Sequence, residues 1–118
     1  MKVLVLGAGN MGLTYAEGMA NSPFLNKRKL MIFDVSPQKT EALSTMAQFD
    51  AYDSIEECVP KADVIFIAVK PYHSQSLFDS IKPYINQEQL FVSLMAGVTI
   101  NTIQEGLGVK KVIRTMPN

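Results

Sequence analysis

The sequence predicts an α/β domain built on a doubly wound parallel sheet, and three observations predict it. Short apolar runs alternate with stretches of helical period along the chain. The runs are continuous rather than alternating, as in strands buried on both faces. The segments between them are long enough for helices, and helix-length connections join parallel strands and cover both faces of the sheet.

Lys2-Val3-Leu4-Val5-Leu6 is the first strand, one charge followed by an unbroken apolar run. Asn10 to Ala20 follows as a helix with Met11, Tyr15, Gly18 and Met19 at helical spacing, and Asn21-Ser22-Pro23 stops it. Leu30-Met31-Ile32-Phe33 is the second strand. Ser36-Pro37 opens the next helix with a hydroxyl cap and a proline at the first helical position. Ala42, Leu43, Met46 and Ala47 are its expected buried stripe. A weak extended piece near Phe49 to Tyr52 precedes a short helix over Ser54 to Val59. Asp53 or Ser54 can cap that helix, and Glu56 and Glu57 sit in its positive first turn.

Asp63-Val64-Ile65-Phe66-Ile67-Ala68-Val69 is the clearest strand. Pro71 ends it, and Leu77, Phe78, Ile81 and Ile85 mark the following helix. Leu90-Phe91-Val92-Ser93-Leu94 is another strand, and Gly97 turns it toward a helix that Thr99 can cap and that Gly106 and Gly108 end. Lys111-Val112-Ile113-Arg114 is the last strand.

A chain of 118 residues, 47% of them hydrophobic, fits one domain and buries a core without disulfides or a structural metal. Cys58 is its single cysteine and His73 its single histidine, which argues against an internal bridge and against a metal site. Eleven basic side chains against 11 acidic ones leave zero formal charge, so binding of nucleic acid by charge is not expected. The one dense basic run, Lys27-Arg28-Lys29, reads as a solvated turn. No segment reaches the roughly 18 to 20 apolar residues that span a bilayer. Met1 to Leu6 is too short and too β-branched for the apolar core of a signal peptide. The expectation is a soluble, cytoplasmic protein with no membrane partner.

Gly7-Ala8-Gly9-Asn10-Met11-Gly12 reads G-x-G-x-x-G, with a strand before it, a helix opening on it and an acid ending the next strand. In that setting Gly7 permits the tight turn, Gly9 lets the main chain approach a diphosphate, and Gly12 lets the helix pack closely on the strand. Free N–H groups and the positive helix end then face the diphosphate. The plainer alternative is a glycine turn that only packs helix on sheet.

Asp34 lies 22 residues beyond Gly12, where a carboxylate accepts hydrogen bonds from the adenosine ribose and repels a 2′-phosphate. That favours NADH over NADPH. Against it, Ser36 and Lys39 follow closely and can hold a phosphate if Asp34 swings aside, and Asp34 can merely cap a turn.

Ligands of open parallel sheets bind beyond the carboxyl ends of the strands. Ala68-Val69-Lys70-Pro71, Met95-Ala96-Gly97 and Thr115-Met116-Pro117-Asn118 end strands there. Lys70 is either a charge near the ribose or an acidic substrate, or a solvated strand-end lysine. Ala96 and Gly97 offer a small surface for a flat ring, or simply a turn. Asn118 is either a hydrogen-bonding partner of the cofactor or a frayed chain end. His73 reads as the start of a helix, Cys58 as a small core residue, and the seven methionines as packing. No serine–histidine–acid arrangement is evident.

Taken together, the G-A-G-N-M-G turn, Ala62 to Pro71, Ala96-Gly97-Val98-Thr99 and Val112 to Asn118 resemble the pyrroline-5-carboxylate reductase family, in order and over the whole chain. The resemblance implies a Rossmann-type fold and NAD(P)H-dependent reduction of 1-pyrroline-5-carboxylate to L-proline, with hydride passing from nicotinamide to the imine carbon. It places cofactor contacts on Gly7, Ala8, Gly9, Asn10, Met11 and Gly12, on Ala68, Val69, Lys70 and Pro71, and on Ala96 and Asn118. Three positions depart from the family pattern. Asp34 stands where NADPH-using members usually carry a small or polar residue, no asparagine matches near Asp53-Ser54, and Tyr72 replaces a commoner glutamine.

Family members continue past Met-Pro-Asn into a helical domain that forms the dimer and holds the substrate carboxylate and the proton donor. By that resemblance residues 1–118 are the cofactor domain of a homo-oligomer acting on a small imino acid. No catalytic residue is assigned within them, and they have little or no reductase activity alone. Other readings are the cofactor domain of a deazaflavin-dependent NADP reductase or of a β-decarboxylating-type dehydrogenase, and a non-catalytic NAD(P)-sensing module.

Overall fold

Six parallel strands lie in the order β3-β2-β1-β4-β5-β6, so the chain starts at the centre of the sheet and winds outward twice. The computed structural model describes residues 1–20, 23–25 and 29–115. The helix stop expected at Asn21-Ser22, the Lys27-Arg28 part of the basic run, and Asn118 lie outside those residues.

The strands are β1 (Val3–Leu6), β2 (Leu30–Phe33), β3 (Phe49–Tyr52), β4 (Val64–Ile67), β5 (Leu90–Ser93) and β6 (Val112–Arg114). The helices are α1 (Asn10–Met19), α2 (Pro37–Ser44), α3 (Ile55–Cys58), α4 (Ser74–Ile81) and α5 (Ile100–Leu107). The central strands carry apolar residues at every position because each face has its own core. Val3 and Val5 of β1 join Ile32, Phe49, Ala16 and Leu43 in one layer. Leu4 and Leu6 join Phe33, Ile65, Ile67 and Phe91 in the other, closed by Phe78 and Ile81 of α4 and by Ile103 and Leu107 of α5. Full burial of a ring such as that of Phe78 contributes on the order of 2–3 kcal/mol.

Local signals hold at the caps. Ser36 Oγ accepts the Lys39 N–H at 3.4 Å at the start of α2, with Pro37 at its first position. Thr99 Oγ1 accepts the Thr102 N–H at 3.1 Å at the start of α5. Ser54 is the N-terminal cap residue of α3 but makes no side-chain cap bond.

Three packing expectations are corrected. In α1 the buried positions are Gly12 and Ala16, whereas Met11 is 43% exposed and Gly18 faces solvent. The helix runs so close to the sheet at its first turns that Gly12 and Ala16 make the closest contact, while Leu13 and the expected Met19 pack half-buried against the same core layer. In α2 only Leu43 is buried, and Met46 and Ala47 fall beyond the helix, which ends at Ser44 beside the edge strand β3. Gly106 does not end α5; it is an interior helical residue whose α-carbon faces the Phe78 ring, and Gly108 alone makes the left-handed cap.

A candidate dinucleotide site at the switch point

The sheet order reverses between β1 and β4, whose onward connections leave in opposite directions and open a crevice beyond the carboxyl edge. The residues after both strands meet there. Gly7 has φ of +105°, a region closed to other L-residues, and a Cβ on it would lie 2.9 Å from the Ala68 carbonyl oxygen. The Gly7 N–H donates to Phe33 O at 2.9 Å and the Ala68 N–H to Leu6 O at 2.9 Å, so both loops continue the ladder by one residue.

The two later glycines differ in what they leave room for. A Cβ on Gly12 would be driven into the Gly7 carbonyl oxygen and would lie 3.0 Å from the Ala68 Cβ. A Cβ on Gly9 would meet nothing within 4 Å. Gly12 is thus demanded by the fold, whereas Gly9 keeps open a space that no part of the chain fills. Gly9 is also the N-terminal cap residue of α1 and has no side chain to satisfy the first helical N–H groups. No acidic residue lies in that first turn, so the positive helix end faces the crevice without a side chain of its own helix to offset it. Bare N–H groups at a helix start of this kind can hold an anionic group such as a diphosphate.

Asp34 follows β2 directly and is half-buried. One carboxylate oxygen accepts the Ala8 N–H at 2.8 Å and the other the Ser36 N–H at 2.8 Å. Turn capping is therefore observed, and it leaves lone pairs on both oxygens for further donors, since an ionised carboxylate has about four acceptor sites. The expected alternative, in which Asp34 swings aside, would break both bonds.

The remaining expected residues divide. Ala68 and Val69 line the crevice half-buried, and Lys70 and Pro71 follow, exposed, at the turn into α4. Ala96 is exposed in the turn after β5, and Asn118 lies outside the described residues, as does the side chain of Asn10. Met11 is on the surface of α1. Cys58 is a buried core residue, and burial pushes its thiol up to about 11. His73 is exposed at the entry to α4, its ring 4.4 Å from that of Tyr72.

The motif reading missed an apolar slot beside Asp34. A cleft of about 280 Å³ is bounded by Phe33, Val35, Val69, His73 and Leu77, and narrows toward Gly7. Val35 is 86% exposed at its rim. The sequence signal was an isolated valine between an acid and a Ser-Pro cap, where burial alone gives no reason for it. On the other side of Asp34 a cleft of about 480 Å³ carries two further carboxylates, Glu41 and Asp53.

Comparison with known proteins agrees with this architecture. A pyrroline-5-carboxylate reductase of Staphylococcus haemolyticus is 38% identical over 123 residues, covering 100% of the chain and 44% of the relative. One from Escherichia coli is 35% identical over 118 residues, covering 99% and 44%. The chain thus spans less than half the length of these curated relatives. The crystal structure of Plasmodium falciparum pyrroline carboxylate reductase with NADP bound superposes with a TM-score of 0.82 at 29% identity, covering 100% of this chain and 42% of that one. Residues 2–97, most of the domain and all of the crevice between β1 and β4, match the family described as NADP oxidoreductase, coenzyme F420-dependent, and the chain belongs to that family.

Proposed function

We propose that the chain is the cofactor-binding domain of a pyrroline-5-carboxylate reductase and that it takes NADH in preference to NADPH. The observation that carries the reading is the open space at Gly9, set against the bare amino-terminal turn of α1. The diphosphate rests on those N–H groups, and the adenosine ribose hydroxyls donate to the free lone pairs of Asp34. The flat purine enters the slot between Val35, Val69 and Leu77, whose apolar walls suit a ring. Ala68 to Pro71 and Ala96 flank the path toward the nicotinamide, and Asn118 is assigned to the cofactor by the resemblance alone. When bound, the reduced nicotinamide supplies the hydride for the imine carbon.

The preference for NADH is supported by three carboxylates, Asp34, Glu41 and Asp53, around the cleft beside the ribose position. A 2′-phosphate brought there meets like charges and no basic side chain among the cleft residues. The relative from Plasmodium falciparum holds NADP, so the preference belongs to this chain's side chains and not to the fold. The substrate, a small imino acid, and its proton donor belong to a helical domain following Asn118 in a cytoplasmic homo-oligomer. The domain alone has little turnover. The match to the two bacterial reductases runs through essentially the whole chain, beyond the residues that match the coenzyme F420-dependent family, and favours the pyrroline reading.

Calorimetric titration of the 118-residue chain with NADH and NADPH tests the cofactor reading. Tighter binding of NADH is expected. Binding of neither nucleotide overturns the dinucleotide site, and tighter NADPH overturns the role given to the three carboxylates. Turnover of 1-pyrroline-5-carboxylate by the full-length protein, tested against a deazaflavin substrate, decides between the two reductase readings.

A further inference from the structure

We infer that Asp34 is a positioning residue for the diphosphate turn, acting through the backbone of Ala8 independently of any contact with ribose. The Gly7 N–H is taken by the last carbonyl of β2, that of Phe33. In a continuing strand the next N–H, of Ala8, would face away from β2, but the positive φ of Gly7 breaks the strand and the Ala8 N–H meets the residue that follows β2. There it donates to the Asp34 carboxylate at 2.8 Å. Its second oxygen is held at 2.8 Å by the Ser36 N–H, which orients the carboxylate. The main-chain oxygen of Asp34 accepts the Thr40 hydroxyl at 3.3 Å, tying the same residue to α2.

Ala8 is buried, so its N–H has no ready replacement partner in water. Without the carboxylate the turn loses the bond that fixes the Gly7–Ala8 peptide, and with it the direction of the N–H groups that open α1. Removal of Asp34 therefore weakens every ligand that uses the diphosphate cradle, including one with no hydroxyl for Asp34 to grip.

The inference rests on the dinucleotide reading for its ligand but not for the Ala8 bond, and the experiment separates the two. Wild type, Asp34→Ser and Asp34→Asn are titrated with ADP-ribose and with 2′,3′-dideoxy-ADP, which has a diphosphate and no ribose hydroxyls. Exchange of the Ala8 amide is followed by NMR without ligand. The expected result is at least tenfold weaker binding of both ligands to Asp34→Ser and at least tenfold faster exchange at Ala8. Asp34→Asn keeps one acceptor oxygen and falls between, which also provides a measurement if the serine variant folds poorly. Unchanged dideoxy-ADP binding with weakened ADP-ribose binding assigns Asp34 to the ribose alone and overturns the inference. So does unchanged Ala8 exchange. If wild type binds neither ligand, the dinucleotide reading fails, and the Ala8 exchange rate alone upholds or overturns the backbone role.

Discussion

Gly12 sits over the carbonyl oxygen of Gly7 with no room for a single added carbon, which locks the start of α1 onto the end of β1. Neither neighbour of that missing carbon is the flexible end of a side chain: one is backbone and the other the Cβ of Ala68. Gly12→Ala must move the helix or the turn. Overpacking of this kind costs about 1–3 kcal/mol. Urea denaturation is expected to show a loss in that range, accompanied by loss of nucleotide binding.

Gly9→Ala separates binding from folding. Gly9 has φ of −70° and ψ of −177°, which alanine adopts freely, and its Cβ position is empty to 4 Å. The variant is expected to melt within a few degrees of wild type while its affinity for NADH falls at least tenfold, because the methyl group occupies the space assigned to the diphosphate. A loss of stability as large as that of Gly12→Ala would place the glycine's role in the fold instead.

Gly106→Ala reverses a usual rule. In an open helix this change stabilises by about 1 kcal/mol. Here the new Cβ would come 2.6 Å from the Phe78 ring, which is buried and held between α4 and α5. A net destabilisation of about 1–2 kcal/mol is expected. Combining it with Phe78→Leu should recover part of the loss, and a thermodynamic cycle on the two melting curves measures the coupling.

Cys58 gives the fold an alkaline weakness. Burial raises its thiol from 9.0 to about 11, so between those values the unfolded chain sheds a proton that the folded chain keeps. Stability contributed by this group is full below pH 9 and falls as pH rises toward 11, by on the order of 2–3 kcal/mol. Cys58→Ala should lack this component, which subtraction of its urea-derived pH profile from that of wild type reveals. Alkylation of folded Cys58 at pH 8 is expected to be slow and limited by opening of the core.

The inner strands were legible because burial between two layers writes itself as apolar runs. The half-exposed edge strands β3 and β6, with Asp50 and Arg114 in them, gave the weaker signal; all six lie within a few residues of their expected bounds. Ser36-Pro37 and Thr99 were legible because caps are local. The face of α1 was legible only in part: Met19 packs at its expected place, but the close contact at Gly12 and Ala16 carries almost no hydrophobic signal, while exposed Met11 carries much. Gly106 was misread for a similar reason: a glycine near a helix end suggests a stop, and only the position of Phe78 reveals a packing role. Within the candidate site, the glycine turn and Asp34 follow from spacing along the chain. The slot at Val35 and Leu77 joins residues distant in sequence, and only the crossing between β1 and β4 brings them together.

The double grip on the Asp34 carboxylate has a consequence for how such a domain changes its diet of nucleotides. An engineer or a lineage exchanging this acid for a phosphate-friendly residue would forfeit a backbone tether in the same stroke. On the roles proposed for Asp34, a switch of nicotinamide nucleotide is expected to need a companion change that supplies Ala8 with a new acceptor.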